Sequence, residues 1–497
     1  MTVPTPPIEL TGHASHFGGE PAPLPSALLA RLEALGQDGA AEVTTEVTAT
    51  AEASRDWWPL ALHWALDGAV PRRAAAVVRP ASTRAVAEIV SAAAADGVPV
   101  TAAGGRSGVC GASVPVFGGI VLDVTGLDSI GPIDAESGIV EVGAGVFGPD
   151  LERHLNDEHR LTIGHFPQSF DLATVGGWVA CRGAGQYSTR YGKIEDMVVG
   201  LEVVLADGTI VRTGGSPAAA IGPDLTQLFV GSEGTLGVIT RVWLRAHPLP
   251  DGDRRAAYWF PSWASGVEAC RRILRRGATP AVLRLYDPIE SARGHGGDGS
   301  RCVLLVLDQG DDLLVEATLA IVDAECTSLG DRGDVALVDA WTHHRNDTTA
   351  LQGLTKKGFV VDTLEIAAPW SRLAAVHEAT IAALGSVPHA RVASCHLSHS
   401  YPDGACLYFT FAATPPADEV ETTYIAMWDA SQRAVLAAGG NLSHHHGVGL
   451  NRARFVAEAL GPGFAVLTAL KSTLDPAGVL NPGKLGIPTP FGAPSWP

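Results

Sequence analysis

The stretch from residue 79 to 111 constrains the fold most, because a strand–helix–strand pattern runs directly into a glycine-rich loop. RPASTRAVAEIVSAAAADGVPVT predicts a strand end, a helix N-capped at Ser82 or Thr83, and a second strand. The loop AAGGRSGVCG (102–111) follows. Glycine tolerates positive φ angles and leaves room for a ligand, so backbone N–H groups can converge on a phosphate there. Alone the loop is a weak signal, since it lacks the spacing of GxGxxG, and an ordinary loop stays an alternative.

A second glycine-rich region, GHFPQSFDLATVGGWVACRGAGQYSTRYGKIEDMVVG (164–200), strengthens the ligand hypothesis. Its small residues are expected to surround an apolar strand, along which a flat and extended ligand could run. They are Thr174, Gly176, Gly177, Gly183, Ala184 and Gly185. Two such loops in one unit predict a dinucleotide site.

The chain is long enough for several domains, because its 497 residues exceed the size at which one core keeps growing. Short Val/Ile-rich runs such as GGIVLDV and SGIVEVG predict strands, and ADGT predicts a hairpin. The fold class is α+β. The expected units are an N-terminal helical segment at 1–75, a two-lobed domain at 76–248, a cap domain with an antiparallel sheet at 249–440, and C-terminal helices at 441–497 that return to the two-lobed domain.

The charge balance excludes some partners. With 35 basic and 53 acidic side chains the formal charge is −18, which repels nucleic acid and anionic membrane surfaces. An anionic small-molecule substrate would therefore need a local cluster of arginine or histidine.

Cysteine spacing and hydropathy suggest a reducing compartment. The seven cysteines are scattered without a CxxC pair, so neither a disulfide framework nor a zinc ribbon is indicated. No stretch resembles a secretory signal or a membrane span, so no stable membrane insertion is expected. We expect a cytoplasmic protein.

Histidines are unusually concentrated in GGNLSHHHGVG (439–449). This segment is either a solvated surface tract or a set of titratable groups held against a reacting centre. His396 and His399 form an HxxH without a carboxylate at helical spacing, so they are interpreted as structural and no metal is predicted. The role of His343 and His344 stays open.

Several motifs, taken in order, resemble a known family. The loop at 102–111, ATVGGWVACRGAG with YGKIEDMVVGLEVV, and GSEGTLGVIT (231–240) resemble the FAD-binding domain of the vanillyl-alcohol oxidase and p-cresol methylhydroxylase superfamily. Together with RLYDP, APW, DGACLYF and LSHHHGVG they are similar to the alkylglycerone-phosphate synthases within it. The resemblance runs from about residue 76 to the C-terminus.

The resemblance implies an FAD site. Its pyrophosphate would be held by Gly104, Gly105, Arg106, Ser107 and Gly108, its flavin would lie along Thr174, Gly176 and Gly177, and its adenosine side and isoalloxazine edge would contact Glu233, Gly234, Gly237, Val238 and Ile239. Some relatives attach FAD through a histidine and a cysteine. Arg106 and Leu172 stand at those places, so non-covalent FAD is predicted.

The resemblance also implies reacting groups. It places the family's arginine on Arg284, its tyrosine on Tyr408 and its histidine loop on His444, His445 and His446. Arginine binds a carboxylate or phosphate, tyrosine donates to a developing oxyanion, and histidine can take a proton near neutral pH. Without the resemblance, Arg284 would be expected to pair with Asp287 on the surface and Tyr408 to lie in the core.

Two departures from the family pattern favour a small and polar substrate. Phe166 and Gln168 stand where the family has acidic residues in GHxPxS, so a carboxylate for Arg284 is missing from that motif. Only the polar IESARGHGGDGSR lies between RLYDP and CVLLVLDQ, which offers little to bury a long alkyl chain.

These observations favour an FAD-dependent oxidoreductase that takes hydride from a small, anionic, hydroxylated substrate with a histidine base. The alternative is alkylglycerone-phosphate synthase, which exchanges an acyl for an alkyl group without net redox change. A non-catalytic flavoprotein and a metal-assisted D-2-hydroxy acid dehydrogenase are less favoured, the latter because no HxGDGNxH-like segment is found. The family likeness makes a homodimer an expectation.

Overall fold

The computed structural model describes residues 8–347 and 349–496. The first lobe is a sheet in the order β2-β4-β6-β5, in which β4, β6 and β5 are parallel. Its elements in chain order are β1 (Ala14–Ser15), α1 (Ser26–Gln37), β2 (Ala41–Thr44), α2 (Val47–Ala53), α3 (Pro59–Leu66), β3 (Ala69–Val70), β4 (Ala76–Pro80), α4 (Thr83–Ala95), β5 (Val100–Ala103) and β6 (Ile120–Asp123). The Ser82 side chain accepts the N–H of Ala85, so the predicted cap of α4 is confirmed.

The N-terminal segment, expected to be helical, also contributes a strand to the first-lobe sheet. Strand β2 pairs antiparallel with β4, with Val43 opposite Val78, and so forms an edge of the first-lobe sheet. Trp58 is fully buried and donates from its indole to the hydroxyl of Tyr424 in the cap domain. Trp58 therefore packs in the core and joins the N-terminal segment to the cap domain.

The second lobe is an antiparallel sheet in the order β11-β10-β12-β8-β7. The Asp207–Gly208 turn joins β10 to β11, which confirms the predicted hairpin. The elements are β7 (Ile130–Asp134), β8 (Ile139–Gly143), α5 (Gly148–His159), β9 (Leu161–Thr162), α6 (Val175–Cys181), α7 (Ser188–Tyr191), α8 (Ile194–Met197), β10 (Val198–Val204), β11 (Ile210–Gly214), α9 (Leu225–Phe229), β12 (Val238–Arg245) and β13 (His247–Pro248).

The expected apolar strand within TVGGWVAC is instead the helix α6. The Thr174 hydroxyl accepts the N–H of Gly177 and caps the helix, and Arg182 in the left-handed region ends it. A seven-residue apolar run satisfies a strand and a short buried helix equally, so its period could not separate them. The N–H groups of Val175 and Gly176 in its first turn donate to the carbonyls of Val146 and Ala144, which follow β8.

The cap domain is built on an antiparallel sheet in the order β17-β14-β16-β15-β19-β20-β18. Its elements are β14 (Asp253–Phe260), α10 (Trp263–Arg275), β15 (Val282–Tyr286), α11 (Pro288–Gly294), β16 (Cys302–Gln309), α12 (Asp312–Thr327), β17 (Asp331–Arg332), α13 (Ala336–His344), α14 (Thr349–Thr355), β18 (Val360–Pro369), α15 (Leu373–Ser386), β19 (Ala390–Ser400), β20 (Gly404–Ala413) and α16 (Val420–Ala438). One face of the sheet packs on α10, α12 and α15, and α7 of the two-lobed domain contacts β15 and β19 of the same sheet.

The C-terminal helices α17 (Val456–Leu460) and α18 (Gly463–Leu474) lead back to the two-lobed domain. The Asn481 amide donates to the carbonyls of Ala112 at 2.9 Å and Glu233 at 2.6 Å, and so ties the last turn to both lobes. All seven cysteines are free thiols, and all but Cys181 are buried. Among the described helices, none has the length and apolarity to cross a membrane.

Candidate active site

The two predicted glycine-rich loops touch each other. A Cβ on Gly104 would overlap the Thr174 hydroxyl, and one on Gly105 would overlap the carbonyl oxygen of Leu172. Any side chain at either glycine would push the first loop away from the N-terminus of α6. The glycines are therefore required by close backbone approach.

The first loop offers free donors. Among the described residues, no protein acceptor takes the backbone N–H of Gly105, Arg106, Ser107 or Gly108. Arg106 has a φ of 52°, and its guanidinium lies 3.4 Å from Asp123. Successive N–H groups around a left-handed residue form an anion-binding nest, so this loop fits a pyrophosphate.

The third predicted loop, GSEG at 231–234, closes the same space. The N–H groups of Gly231 and Glu233 donate to carbonyls of α6, and the Cβ position of Gly234 lies 3.6 Å from Ala102. Val238 and Ile239 follow in β12. Three loops from two lobes thus meet at one place.

Buried polar atoms without partners lie in or beside the glycine-rich loops. They are Oδ2 of Asp56, both ring nitrogens of His165 and Oγ of Ser232. Since buried polar groups in folded proteins are normally hydrogen-bonded, these atoms indicate a ligand with polar atoms of its own. The nest, the close-packed glycines and these atoms fit FAD.

A cavity of about 740 Å³ lies elsewhere, between the N-terminus of α4 and the second-lobe sheet. Buried Glu202 lies on its floor and accepts hydrogen bonds from Thr83 and Arg212. Its lining contains none of the predicted FAD or reacting residues, so volume alone does not locate the site.

One carboxylate accepts hydrogen bonds from the backbone of all three consecutive histidines. Oε1 of Glu365 accepts the backbone N–H groups of His444 at 3.2 Å, His445 at 3.0 Å and His446 at 2.7 Å. Glu365 is fully buried and is paired with the equally buried Arg452. Burial alone would raise the pKa of Glu365, but Arg452 and then His446 outweigh it and hold that pKa well below its usual range.

The three histidine rings differ in which ring nitrogens lack a hydrogen-bond partner. Both nitrogens of His444 are engaged, Nε2 with the Tyr401 hydroxyl at 2.7 Å and Nδ1 with Nδ1 of His445 at 2.8 Å. Nδ1 of His446 lies 3.3 Å from Oε2 of Glu365 but is not aligned for a hydrogen bond. Among the described residues, Nε2 of His445 and Nε2 of His446 have no partner, so both can reach a substrate.

The pKa values of His444 and His445 are lowered, which favours their neutral forms. Burial, and next Lys193, lower the pKa of His444 to about 3. Burial, and next His446, lower the pKa of His445 well below its usual value. Neutral imidazoles can accept a proton or bind a metal.

Arg284 is held by neutral groups. Its Nε donates to the Tyr286 hydroxyl at 2.7 Å, and its NH2 group donates to Nε2 of His396 at 2.5 Å. Because a guanidinium can only donate, Nδ1 of His396 carries the ring proton and donates to Glu290 at 2.7 Å. Burial, and next Arg284, lower the pKa of His396 to about 4.

The carboxylate missing from GHxPxS is thus replaced from a different segment. Glu290, in the short polar stretch after RLYDP, reaches Arg284 through His396. Asp287 does not pair with Arg284, because it caps α11 and accepts the N–H of Cys395 at 2.7 Å. The surface pairing expected without the resemblance is therefore wrong.

His396 and His399, interpreted from the sequence as structural, lie beside the predicted reacting residues Arg284 and His444. Residues three apart on a regular strand face opposite sides, but a register shift between Leu397 and His399 turns both toward the same face. His399 stacks on His444 with ring centroids 4.9 Å apart. A bulge leaves no sequence signal here.

Strand register brings the remaining groups together. Tyr408 on β20 lies opposite Glu365 on β18 and opposite His396 on β19. Its ring stacks on His396 at 4.8 Å and meets His446 edge-on at 5.6 Å. Tyr408 therefore forms the wall between the arginine and the histidine loop, outside the core.

Three histidines form a compact group. One ring nitrogen from each of His399, His444 and His445 lies within 4.8 Å of the others. Nδ1 of His399 is 2.6 Å from Oγ of Ser188. The spacing could hold a metal ion, whereas the sequence predicts none.

Hydrogen bonds from the two-lobed domain hold the histidine loop in place. Glu233 accepts the N–H groups of Val448 at 2.6 Å and Gly449 at 2.9 Å, and Lys193 donates to the His444 carbonyl at 2.8 Å. Glu233 thereby places the predicted reacting histidines beside the three glycine-rich loops. The site lies between the cap sheet and the two-lobed domain.

Comparisons with known proteins agree with this arrangement. Residues 74–214 match the FAD binding domain family, and residues 249–485 match the C-terminal domain of FAD linked oxidases. A solved alkyldihydroxyacetonephosphate synthase shares the fold, with a TM-score of 0.78, 22% identity, and coverage of 97% of this chain and 88% of that one.

Three curated relatives match over most of their length. The FAD-linked oxidoreductase YgcU of Escherichia coli K12 is 33% identical, covering 83% of this chain and 88% of YgcU. Alkyldihydroxyacetonephosphate synthase of Caenorhabditis elegans is 29% identical, covering 84% and 77%. Glycolate oxidase subunit GlcD of Bacillus subtilis is 28% identical, covering 82% and 88%. The chain therefore belongs to the FAD-linked oxidoreductase family, with an FAD binding domain followed by the C-terminal domain of FAD linked oxidases.

Proposed function

We propose that this protein oxidises a small, anionic, hydroxylated substrate, with FAD as hydride acceptor and His446 as base. The observation that carries the proposal is the position of the His446 ring: its Nδ1 lies 3.3 Å from Oε2 of buried Glu365, the ring meets Tyr408 edge-on, and its Nε2 has no partner among the described residues. The names of two relatives, an FAD-linked oxidoreductase and a glycolate oxidase subunit, support the reaction class.

Each side chain has a part in this chemistry. Arg284 binds the anionic group of the substrate, oriented by His396 and Glu290. Nε2 of His446 takes the hydroxyl proton, and Glu365 stabilises the imidazolium that forms, as a carboxylate does behind a catalytic histidine. FAD held by the three glycine-rich loops would supply the hydride acceptor for the carbon that carries this hydroxyl, so that the alcohol would become a carbonyl.

We propose that FAD is bound without a covalent link. Arg106 pairs with Asp123, and Leu172 offers no nucleophile. Cys181 lies near the third loop, but burial, and next Glu233, raise the pKa of its thiol to about 12, so it stays protonated. Acid precipitation is expected to release yellow flavin into the supernatant, and flavin that stays with the pellet would contradict this.

Gly105→Ala is expected to abolish FAD retention, because the added methyl overlaps the Leu172 carbonyl and moves the nest. The measurement is the ratio of flavin to protein absorbance after gel filtration. Gly385→Ala in α15 is the control, since its Cβ would meet no atom within 4 Å. Full flavin content in the Gly105 variant would refute the assigned role of this loop.

We propose that the reaction needs no metal, despite the His399, His444 and His445 group. Treatment with EDTA is expected to leave the rate of flavin reduction unchanged, and metal analysis of the purified protein is expected to show less than one ion per chain. A rate lost with EDTA and restored by zinc would overturn this expectation.

The synthase reaction is the second candidate, favoured by the 29% identity to the nematode enzyme. Anaerobic spectra separate the two. Bleaching by glycolate or another hydroxy acid supports the oxidoreductase. An ether product from acyl-dihydroxyacetone phosphate and a fatty alcohol, without net flavin reduction, supports the synthase.

A further inference from the structure

A second arginine lies at the aromatic edge of the site. The guanidinium carbon of Arg345, just after α13, is 5.0 Å from the ring centroid of Tyr187, 5.6 Å from Phe166 and 5.9 Å from Trp341. Its NH1 group donates to the side chain of Gln186 at 2.9 Å. The arginine is half-buried and is fixed by neutral contacts.

Arg345 and Arg284 share one surface. The guanidinium carbon of Arg284 lies 5.8 Å from the same Trp341 ring. Within the described ranges, neither arginine has a carboxylate oxygen within 4.0 Å, whereas the neighbouring Arg190 and Arg255 each do. Neither half-buried guanidinium has a direct carboxylate partner, and Glu290 reaches Arg284 only through His396, so a bound anion would stabilise both charges.

The sequence explains the missing charge. Phe166 occupies one of the positions in GHxPxS where the resembling family has acidic residues, and its ring lies against Arg345. An aromatic ring attracts a guanidinium but does not neutralise it. The Arg345 guanidinium can therefore form an ion pair with an anionic group of a ligand.

This arginine is connected to the reacting groups. The Gln186 side chain donates to the Arg345 carbonyl at 3.2 Å and accepts from its guanidinium, so the two residues hold each other. Ser188, two residues further along, contacts His399. The aromatic edge is therefore the outer part of the same site.

We propose that Arg345, Trp341, Phe166 and Tyr187 form a second anion subsite, so the substrate carries two anionic groups, one bound by Arg284 and the other by Arg345. The proposal rests on the oxidoreductase function for the role of Arg284. A hydroxy dicarboxylate and a phosphorylated hydroxy acid share this chemistry.

The test compares a ligand with one anionic group, lactate, with ligands that carry two, namely malate, 2-hydroxyglutarate and 3-phosphoglycerate. Binding to the FAD-loaded protein is measured by thermal shift and calorimetry. Arg345→Gln is expected to weaken binding of the ligands with two anionic groups by about tenfold or more and to leave lactate binding unchanged. Arg433→Gln is the control, because Arg433 also lies over a ring, that of Phe455, but pairs with Glu458.

The outcomes separate this subsite from the function on which it rests. If Arg345→Gln lowers the affinity for lactate as much as for the ligands with two anionic groups, or lowers no affinity, the subsite is overturned. Selective loss without flavin reduction by any ligand keeps the subsite and refutes the oxidoreductase. A preference for 3-phosphoglycerate over both dicarboxylates identifies phosphate as the second group, and the reverse identifies carboxylate.

Discussion

Glu365→Gln is expected to lower the free energy of unfolding by about 3 to 5 kcal/mol, because it leaves buried Arg452 without its counter-charge. The amide oxygen can still accept the three N–H groups of the histidine loop, so the effect isolates the charge. Urea unfolding followed by tryptophan fluorescence measures it. Glu88→Gln, an exposed partner of Arg84, is the control and is expected to cost about 1 kcal/mol or less.

The same variant has a pH signature. The pKa of Glu365 is held well below its usual range in the folded protein, so its charge stabilises the fold above the unfolded value of about 4.3. That contribution is lost as the pH falls through the folded pKa. The stability difference between wild type and variant is therefore expected to be constant near neutral pH and to shrink in acid, and a difference that grows in acid would contradict the assignment.

His446→Ala is expected to slow anaerobic flavin reduction by about 10² to 10⁴-fold, the range for loss of a general base. FAD content should not change, because His446 contacts Glu365 and Tyr408 rather than the glycine-rich loops. The measurement is stopped-flow absorbance under substrate saturation. The exposed His159 supplies the control variant His159→Ala, which should retain the full rate.

A second arm tests the role of His446 more closely. Added imidazole is expected to restore part of the rate in His446→Ala but not in Arg284→Ala, because only the first variant lacks a base. A His446 variant that reduces flavin as fast as wild type would exclude it as the base. His445, whose Nε2 is also free, would then be the next residue to test.

Local signals in the sequence predicted the parts of the fold that depend on nearby residues. The Ser82 cap, the strand–helix–strand unit and the Asp207–Gly208 hairpin are confirmed. Helix α6 was expected as a strand, because seven apolar residues do not distinguish a period of 2 from one of 3.6. Its capping Thr174 was the available signal.

The resemblance predicted several residues of the site, but not the side chains that hold them in position. The resemblance named His446, Tyr408 and Arg284, whereas nothing local marks Glu365, which lies 81 residues before His446 and holds it from strand β18. Likewise Glu290 reaches Arg284 only through His396, which the β15–β19 pairing places opposite Tyr286. Such contacts depend on strand register, which cannot be determined from a single sequence.

The most direct test of the central claim is the anaerobic spectrum of the FAD-loaded protein with glycolate, lactate, malate and 2-hydroxyglutarate. We expect at least one hydroxy acid to bleach the flavin, and the bleaching to be lost in His446→Ala. Flavin that stays oxidised with every hydroxy acid, together with ether formation from acyl-dihydroxyacetone phosphate, would contradict the oxidoreductase and establish the synthase reaction.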